Sequence, residues 1–439
     1  IKDGLCEYAC QYGGALSGIG IDSWAVDFGL IDKQGRILGN PRSYRDPRGE
    51  RGQRAFYEKY GERAAFDITG IADLEFNTIY QLYDMVLQKD PQLIMADKVL
   101  LIPDLLGYLL CGDISAEYTF ATTTQMLDSE TDKWSDEIAH MLGIEPGLLP
   151  PVRMSGEKKA NLYDAIRQET GLTNAPPVFC VGSHDTASAV ASVPAAHENY
   201  AYLSSGTWSL IGMIRDTALI DERVYQNKFS NEGAIDGRVR LLKNIMGLWI
   251  IQCCKQAWDR ETPLSWDGIV DLAHAAPPFQ SFIDVNDHAF FNPDHMPDKI
   301  IQYCRETGQK APETKGEIAR TVYESLAMSY RDAFVGLEQL KDGRIDVLHI
   351  VGGGSQNVLL NQYTADVIGR EVVAGPAEAT AIGNLMVQVI ASGEVSSMDE
   401  MREVIRRSCG VRNYEPRDVQ LWADMYGRYR DVLQSRSRS

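Results

Sequence analysis

The chain has 439 residues, a formal net charge of −18, 44% hydrophobic and 24% charged residues, which is the balance of a folded globular protein long enough for two or three domains. Its negative average surface repels phosphate backbones and anionic lipid, so neither nucleic acid nor membrane is an expected partner, and an anionic ligand such as a nucleotide needs a local cradle of backbone N–H groups, basic side chains or metal. No apolar run reaches the roughly 18–20 residues of a spanning helix; the nearest, "VLLIPDLLGYLLCG", is broken by Pro103 and Asp104.

In chain order, the opening "IKDGLCEYAC" carries neither an initiator Met nor a targeting pattern, and the first good strand is at Leu16 to Ile21. "LSGIGIDSWAVDFGLIDKQGRILG" reads as two strands, a turn at Asp32 to Gly35 and a third strand, an antiparallel hairpin pattern. Residues 50 to 145 are mostly helical by period, with Asp128 and Ser129 as capping-type residues between segments. Pro150, Pro151, Pro176 and Pro177 bracket a helix at about 156 to 170. "VFCVGSHDTASAVASV", 178 to 193, is a buried strand, a glycine and a small-residue helix. The polar, proline-opened "PAAHENY" at 194 to 200 predicts a domain boundary.

Beyond it, "AYLSSGTWSLIG" predicts two strands around a Ser-Ser-Gly-Thr turn, and "VRLLKNIMGLWIIQCCKQAW" enters a helix after Asn244. Pro-rich loops fill 277 to 297, and a long helix covers about 314 to 340. "IDVLHIVGGG", "QNVLLNQYTADVIG", "REVVAG" and "EATAIGNLMVQVIASG" alternate strand and helix, which predicts parallel sheet with helical cover. The Ser/Arg tail "SRSRS" reads as disordered. The eight cysteines are scattered without a CxxC pair, and Cys253 and Cys254 point different ways from one helix; reduced thiols in a cytoplasmic protein are the simplest reading.

Three stretches could carry chemistry. Gly352, Gly353 and Gly354 stand between a strand and a helix, where bare backbone approaches a ligand closely, although tight packing alone also accounts for them. They form neither a dinucleotide fingerprint nor a P-loop. A dehydrogenase also needs an acidic residue at the end of the next strand, and "REVVAG" ends in Ala374-Gly375. Ser204, Ser205 and Thr207 around Gly206 suit a phosphate-binding turn or an ordinary hairpin. Asp185 is either a helix cap or a reactive carboxylate, with His184 beside it. The histidines are too far apart to predict a metal site, and no GxSxG elbow predicts a hydrolase.

Together, "GIDSWAVDFGLID", "YRDPR", "NTIYQL", "EYTFATTTQ", "GSHDTASAVASVP", "YLSSGTWSL", "LLKNIMGLWIIQ", "HIVGGGSQNVLLNQ" and "GPAEATAIGN" resemble the FGGY family of sugar kinases, from about residue 17 to 390. "SHDTASAV" and "KNIMGLW" resemble its rhamnulokinase branch. The resemblance implies an α/β fold of two actin-like (ribonuclease H-like) domains flanking a cleft. Residues 1–195 would be a sugar-binding domain, 196–395 an ATP-binding domain and 396–439 a helical extension and tail. It implies ATP-dependent phosphorylation of L-rhamnulose at its 1-hydroxyl, with L-fuculose, L-ribulose or xylulose as alternative acceptors, by a monomer or homodimer.

On the same resemblance Asp185 is the general base, and Ala25, His184, Thr186 and Asn244 meet the sugar. Thr207, Gln252 and Gly353 meet ATP, and Mg²⁺ is held chiefly through ATP and water rather than by protein ligands. A carboxylate is a weak base toward a free alcohol but becomes competent as the P–O bond forms and the proton turns acidic. Domain closure about 194 to 200 would exclude water. Two departures stand out. Ala25 replaces the family's glycine, adding a methyl group beside the sugar. The family's opening hairpin, which cradles ATP phosphates, is missing, so a truncated record of an active enzyme is expected, with a sugar-binding protein without turnover as the competing reading.

Overall fold

The computed structural model describes residues 1–437. The chain forms two compact units: Ile1–Ser192, Ile214–Leu241 and Thr380–Val404 make the first, while Val193–Met213, Leu242–Ala379 and the chain from Ile405 onward make the second. Compactness thus divides the chain differently from the linear expectation of 1–195, 196–395 and 396–439. The first break falls just ahead of "PAAHENY", but two later segments fold with the N-terminal unit. Small residues are one reason. In the helix Ala379–Ala391, Gly383 lies so close to the helix Asp185–Ala191 that a Cβ on it would stand 1.8 Å from the Ser188 carbonyl oxygen.

In the first unit, Ile19–Gly20 runs parallel to Pro177–Phe179, which pairs antiparallel with Lys158–Asn161 in a three-stranded sheet. The helix expected at about 156 to 170 therefore begins only at Asp164 and ends at Thr170. "KKAN" is an edge strand with no fully buried residue, so it lacks the apolar alternation that marks a strand in sequence. The Asp32–Gly35 turn is present, with the Gly35 N–H donating to the Asp32 carbonyl at 2.8 Å. An antiparallel Ile31–Ile37 bridge continues it as a short hairpin, with the Asp32 N–H donating to the Arg36 carbonyl at 3.0 Å and the Leu38 N–H to the Leu30 carbonyl at 2.8 Å. Phe28–Ile31 also pairs antiparallel with Lys98–Leu101, a partner far along the chain.

Asp128 and Ser129 open no helix among the described residues, but the Ser129 N–H and hydroxyl donate at 3.2 and 3.0 Å to the carbonyl of Ile68, in the last turn of the helix Ala64–Thr69. Asp128 ends the strand Leu127–Asp128, and its carboxylate accepts from the Glu130 and Thr131 amides at 3.0 and 2.9 Å in the turn that leads to Lys133–Trp134. The opening stretch folds as the helix Lys2–Tyr12, which packs against Asp164–Thr170 and is pinned by a Lys2–Glu169 ion pair.

The second unit is built on adjacent strands in the order Val239–Met246, Trp208–Arg215, Tyr200–Ser205, Val347–Val351, Glu371–Ala374 and Arg412–Tyr414. The first hairpin is antiparallel, while Tyr200–Ser205, Val347–Val351 and Glu371–Ala374 run parallel to one another. The strand Val239–Met246 continues through Asn244, so the following helix starts at Trp249 rather than just after Asn244. The helix Lys315–Lys341 opens with a capping box, Thr314 and Glu317 each closing an exposed backbone amide. The tail expected to be disordered is helical as far as Ser437 (helix Val419–Ser437), and residues 438–439 lie outside the described residues. All eight cysteines are free thiols.

Candidate active site

The strand Pro177–Phe179 delivers a buried chain to Gly182, where a Cβ would meet the Ser188 amide nitrogen at 2.8 Å and Ile235 at 2.9 Å. Only glycine lets the chain turn that tightly into the helix Asp185–Ala191. The corner is then stitched on both sides. The Ser183 N–H donates to the buried Glu117 carboxylate at 3.1 Å, the Ser23 N–H to the Ser183 carbonyl at 2.9 Å, and the Asp185 N–H to the Ser23 carbonyl at 2.9 Å.

Asp185 is the first residue of its helix, with His184 in the capping position. Among the described residues no helix amide donates to its carboxylate, so capping is not its task. Oδ1 accepts from the Thr186 hydroxyl at 3.2 Å and lies 3.5 Å from His184 Nε2, and the side chain is 45% exposed. The backbone is fixed while the carboxylate remains open to a ligand.

Behind it lies a charged cluster that the sequence reading missed. Glu232 and Arg240 are buried, the Arg240 side chain completely, and their charges pair at 3.2 Å. Burial alone would raise the Glu232 pKa, but the His184 hydrogen bond and the Arg240 charge win and hold it below the ordinary carboxylate value. Glu232 is therefore an ionised acceptor, 3.2 Å from His184 Nδ1. Arg240 Nη2 also lies 3.2 Å from Nδ1, so that nitrogen meets a donor as well as an acceptor, while Nε2 sits on the Asp185 side. Ala25 follows two residues after Ser23, which bridges to His184 in parallel fashion. The structure thus gathers Asp185, His184, Thr186 and the Ala25 loop in one place.

Asp22 adjoins the same corner. Asn384, from the helix Ala379–Ala391, donates to its carboxylate. Burial pushes the Asp22 pKa up against that hydrogen bond, and the negative charge of Asp185 pushes it further the same way. No pattern in the sequence could have joined residues so far apart; Glu117, at least, stood inside a recognisable stretch, "EYTFATTTQ".

The second unit holds Asn244, Thr207, Gln252 and Gly353. Asn244 is partly buried on the strand Val239–Met246 and belongs to this unit, not to that of Asp185. Thr207 sits in the turn between Tyr200–Ser205 and Trp208–Arg215, and its hydroxyl donates to Gln252 Oε1 at 3.2 Å. The turn packs on the start of the helix Trp249–Asp259, with the Trp249 N–H donating to the Thr207 carbonyl at 3.1 Å. Gln252 also lines an open groove of about 450 Å³ with Lys255, Gln256 and Trp266.

The three glycines differ in their duties. Gly352 has φ +84° and would place a Cβ 3.1 Å from the Ser205 carbonyl oxygen, while Gly354 would place one 2.0 Å from Ser205 Oγ. Gly353 has nothing within 4 Å of such a Cβ. Packing therefore accounts for the outer two, and the middle one faces free space two residues beyond the strand Val347–Val351, which pairs with the strand that leads to Thr207. Bare backbone with open space around it lets a ligand approach closely.

Family models agree with this arrangement of elements. The FGGY family of carbohydrate kinases, N-terminal domain, matches residues 13–191, and the C-terminal domain of the same family matches residues 201–392. The chain belongs to the FGGY family of carbohydrate kinases. This FGGY kinase is 41% identical over 433 residues to a rhamnulokinase of Bacteroides thetaiotaomicron, covering 99% of the chain and 88% of that relative. It is 41% identical over 403 residues to a rhamnulokinase of Enterococcus faecalis, covering 91% of the chain and 80% of the relative. A ligand-bound xylulose kinase from Lactobacillus acidophilus superposes with a TM-score of 0.81 at 16% identity, over 100% of this FGGY kinase and 88% of that chain, a likeness of fold. Among the described residues no helix is long and apolar enough to cross a membrane.

Proposed function

We propose that this FGGY kinase transfers the γ-phosphoryl group of ATP to the 1-hydroxyl of L-rhamnulose, with Asp185 as the general base. The observation that carries the reading is the Asp185 carboxylate, held at the start of a helix yet capping nothing and 45% exposed. Its relatives' name, rhamnulokinase, supports the choice of acceptor.

The chemistry follows from the residues. In phosphoryl transfer the protein's work is alignment and charge stabilisation, with a place for the hydroxyl proton. His184 Nε2 and Thr186 orient the sugar beside Asp185, and the Ser23 backbone keeps that carboxylate from drifting. As the new P–O bond forms, the hydroxyl proton passes to a carboxylate oxygen. In the second unit, Thr207, Gln252 and the open backbone of Gly353 hold the nucleotide, and Asn244 contributes to sugar binding. Mg²⁺ would supply neutralisation of phosphate charge, held chiefly through the nucleotide and water. Free thiols and an acidic surface fit a cytoplasmic enzyme.

A coupled assay of ADP release across L-rhamnulose, L-fuculose, L-ribulose and xylulose tests the proposal. The highest kcat/KM is expected with L-rhamnulose. A higher value with another ketose replaces the acceptor, and sugar binding without ADP release makes the protein a sugar receptor rather than a kinase.

A further inference from the structure

The loop Ser23–Asp27 is held more firmly than a surface loop needs. The Asp27 N–H donates to the Ala25 carbonyl at 3.0 Å, closing a three-residue turn centred on Val26 at φ +67°. A β-branched residue is disfavoured in that region, and turns of this kind are strained. The strain is held from below: the Val26 carbonyl accepts from the Thr78 hydroxyl at 2.7 Å and from the Gln81 amide at 3.3 Å, both on the buried helix Thr78–Leu87. At its other end the loop is locked to the Asp185 corner through both Ser23 backbone bonds.

What this loop presents is Trp24. Its indole is 51% exposed, yet its ring is not free, because Nε1 donates to Asp27 Oδ2 at 2.8 Å. Asp27 is itself buried, and its other oxygen, Oδ1, has no hydrogen-bond partner. A buried carboxylate with an unsatisfied oxygen is costly, and an exposed indole gains nothing by being tethered if it faces only water. Both make sense where the ring's orientation matters. The family resemblance sets the next residue, Ala25, beside the sugar.

We propose that Trp24 is the platform on which the C–H face of the sugar stacks, and that Asp27 is the positioning residue that fixes its indole. A deoxyketose offers C–H groups and a methyl group, and an aromatic face takes up such a surface at little entropic cost because only two side-chain torsions must be held. Hydroxyls on the sugar's other edge would then meet His184, Thr186 and Asp185. This assignment rests on the kinase reading given above, and it explains how a loop whose residue 25 adds a methyl group still holds a sugar.

The test compares Trp24→Ala, Trp24→Phe, Asp27→Ala and Asp27→Asn with the unaltered enzyme, using steady-state kinetics and sugar-dependent tryptophan fluorescence. Trp24→Ala is expected to raise KM for the preferred ketose about tenfold or more, with kcat within threefold and KM for ATP unchanged. Trp24→Phe, which keeps an aromatic face, is expected to stay within threefold in KM and to lose the sugar-induced fluorescence change. Asp27→Ala is expected to raise the sugar KM, and Asp27→Asn, which keeps an oxygen for the indole, to restore it. A sugar KM within twofold after Trp24→Ala, or equal rises in the sugar and ATP KM values, overturns the platform while leaving the kinase reading intact. An unaltered protein that turns over no ketose overturns that reading, and the platform with it. The half-exposed position of Trp24 keeps its two variants foldable, and thermal unfolding midpoints verify that those of the buried Asp27 fold as well.

Discussion

The hydroxyl of Thr380 donates a 3.2 Å hydrogen bond to the carbonyl oxygen of Asp185, although 195 residues separate them in the chain. The bond ties the start of the helix Ala379–Ala391 to the first turn of the helix that carries the carboxylate. One turn further along, Asn384 reaches Asp22, and Gly383 allows the two helices to touch. Asp185 is thus supported from behind while its side chain stays available.

From this follows the expected behaviour of Asp185→Asn. The substitution keeps size and hydrogen-bonding capacity but removes the basic oxygen. It should lower kcat by roughly 10² to 10⁴-fold, the usual worth of a positioned general base, with little change in sugar KM. The thermal unfolding midpoint should not fall, because the carboxylate caps no amide. An Asn variant with near-normal turnover would remove Asp185 from the chemistry.

Glu232→Gln should damage stability more than alignment. It leaves the fully buried Arg240 guanidinium without its counter-charge, and breaking a buried pair from one side costs about 3–5 kcal/mol. Replacing Arg240 with Met in the same variant should recover part of that loss, a coupling readable by denaturant titration of the single and double variants.

The glycine turn gives a contrast between neighbours. Gly354→Ala would drive a methyl group to 2.0 Å from Ser205 Oγ and 2.6 Å from Ser205 Cβ, so the protein should lose stability and expression. Gly353→Ala meets no protein atom within 4 Å and should fold normally, yet raise KM for ATP several-fold. Thermal melts together with nucleotide kinetics on the two variants separate packing from binding.

His349 makes the protein sensitive to acid. Burial lowers its pKa from the ordinary 6.5 to about 4, and its Nδ1 has no hydrogen-bond partner. A depressed folded-state pKa means that the unfolded chain takes up the proton more readily. Stability is therefore complete above pH 6.5 and is lost as the pH falls from there toward 4, by up to about 3 kcal/mol at 1.36 kcal/mol per pKa unit. His349→Phe should remove this loss and flatten stability between pH 6.5 and 4, as measured by urea unfolding across that range.

Much of the second unit was legible because local patterns and final structure agree there. "AYLSSGTWSLIG" became an antiparallel hairpin, and the alternating strands and helix from 347 to 374 put Val347–Val351 beside Glu371–Ala374 in parallel. The period of apolar residues reports burial on one face, and those faces are buried. Where burial is weak the signal fails, as at the edge strand Lys158–Asn161. The Ser/Arg tail misled for the opposite reason: its polar composition hid the last turn of the helix Val419–Ser437.

By itself the sequence determined which residue types stand at the ends of strands: the Ser183-His184-Asp185-Thr186 corner, the hydroxyl turn at Thr207 and the three glycines, since these depend on chain order and on backbone geometry that a few neighbours dictate. Only the tertiary structure decided that Glu232 and Arg240 sit behind His184, that Asn384 and Thr380 brace the first unit, that Gly353 alone of its three faces open space, and that Trp24 is tethered rather than free. These are contacts between segments tens or hundreds of residues apart, chosen by close packing and by the need to pair buried charge, and no local pattern carries that information.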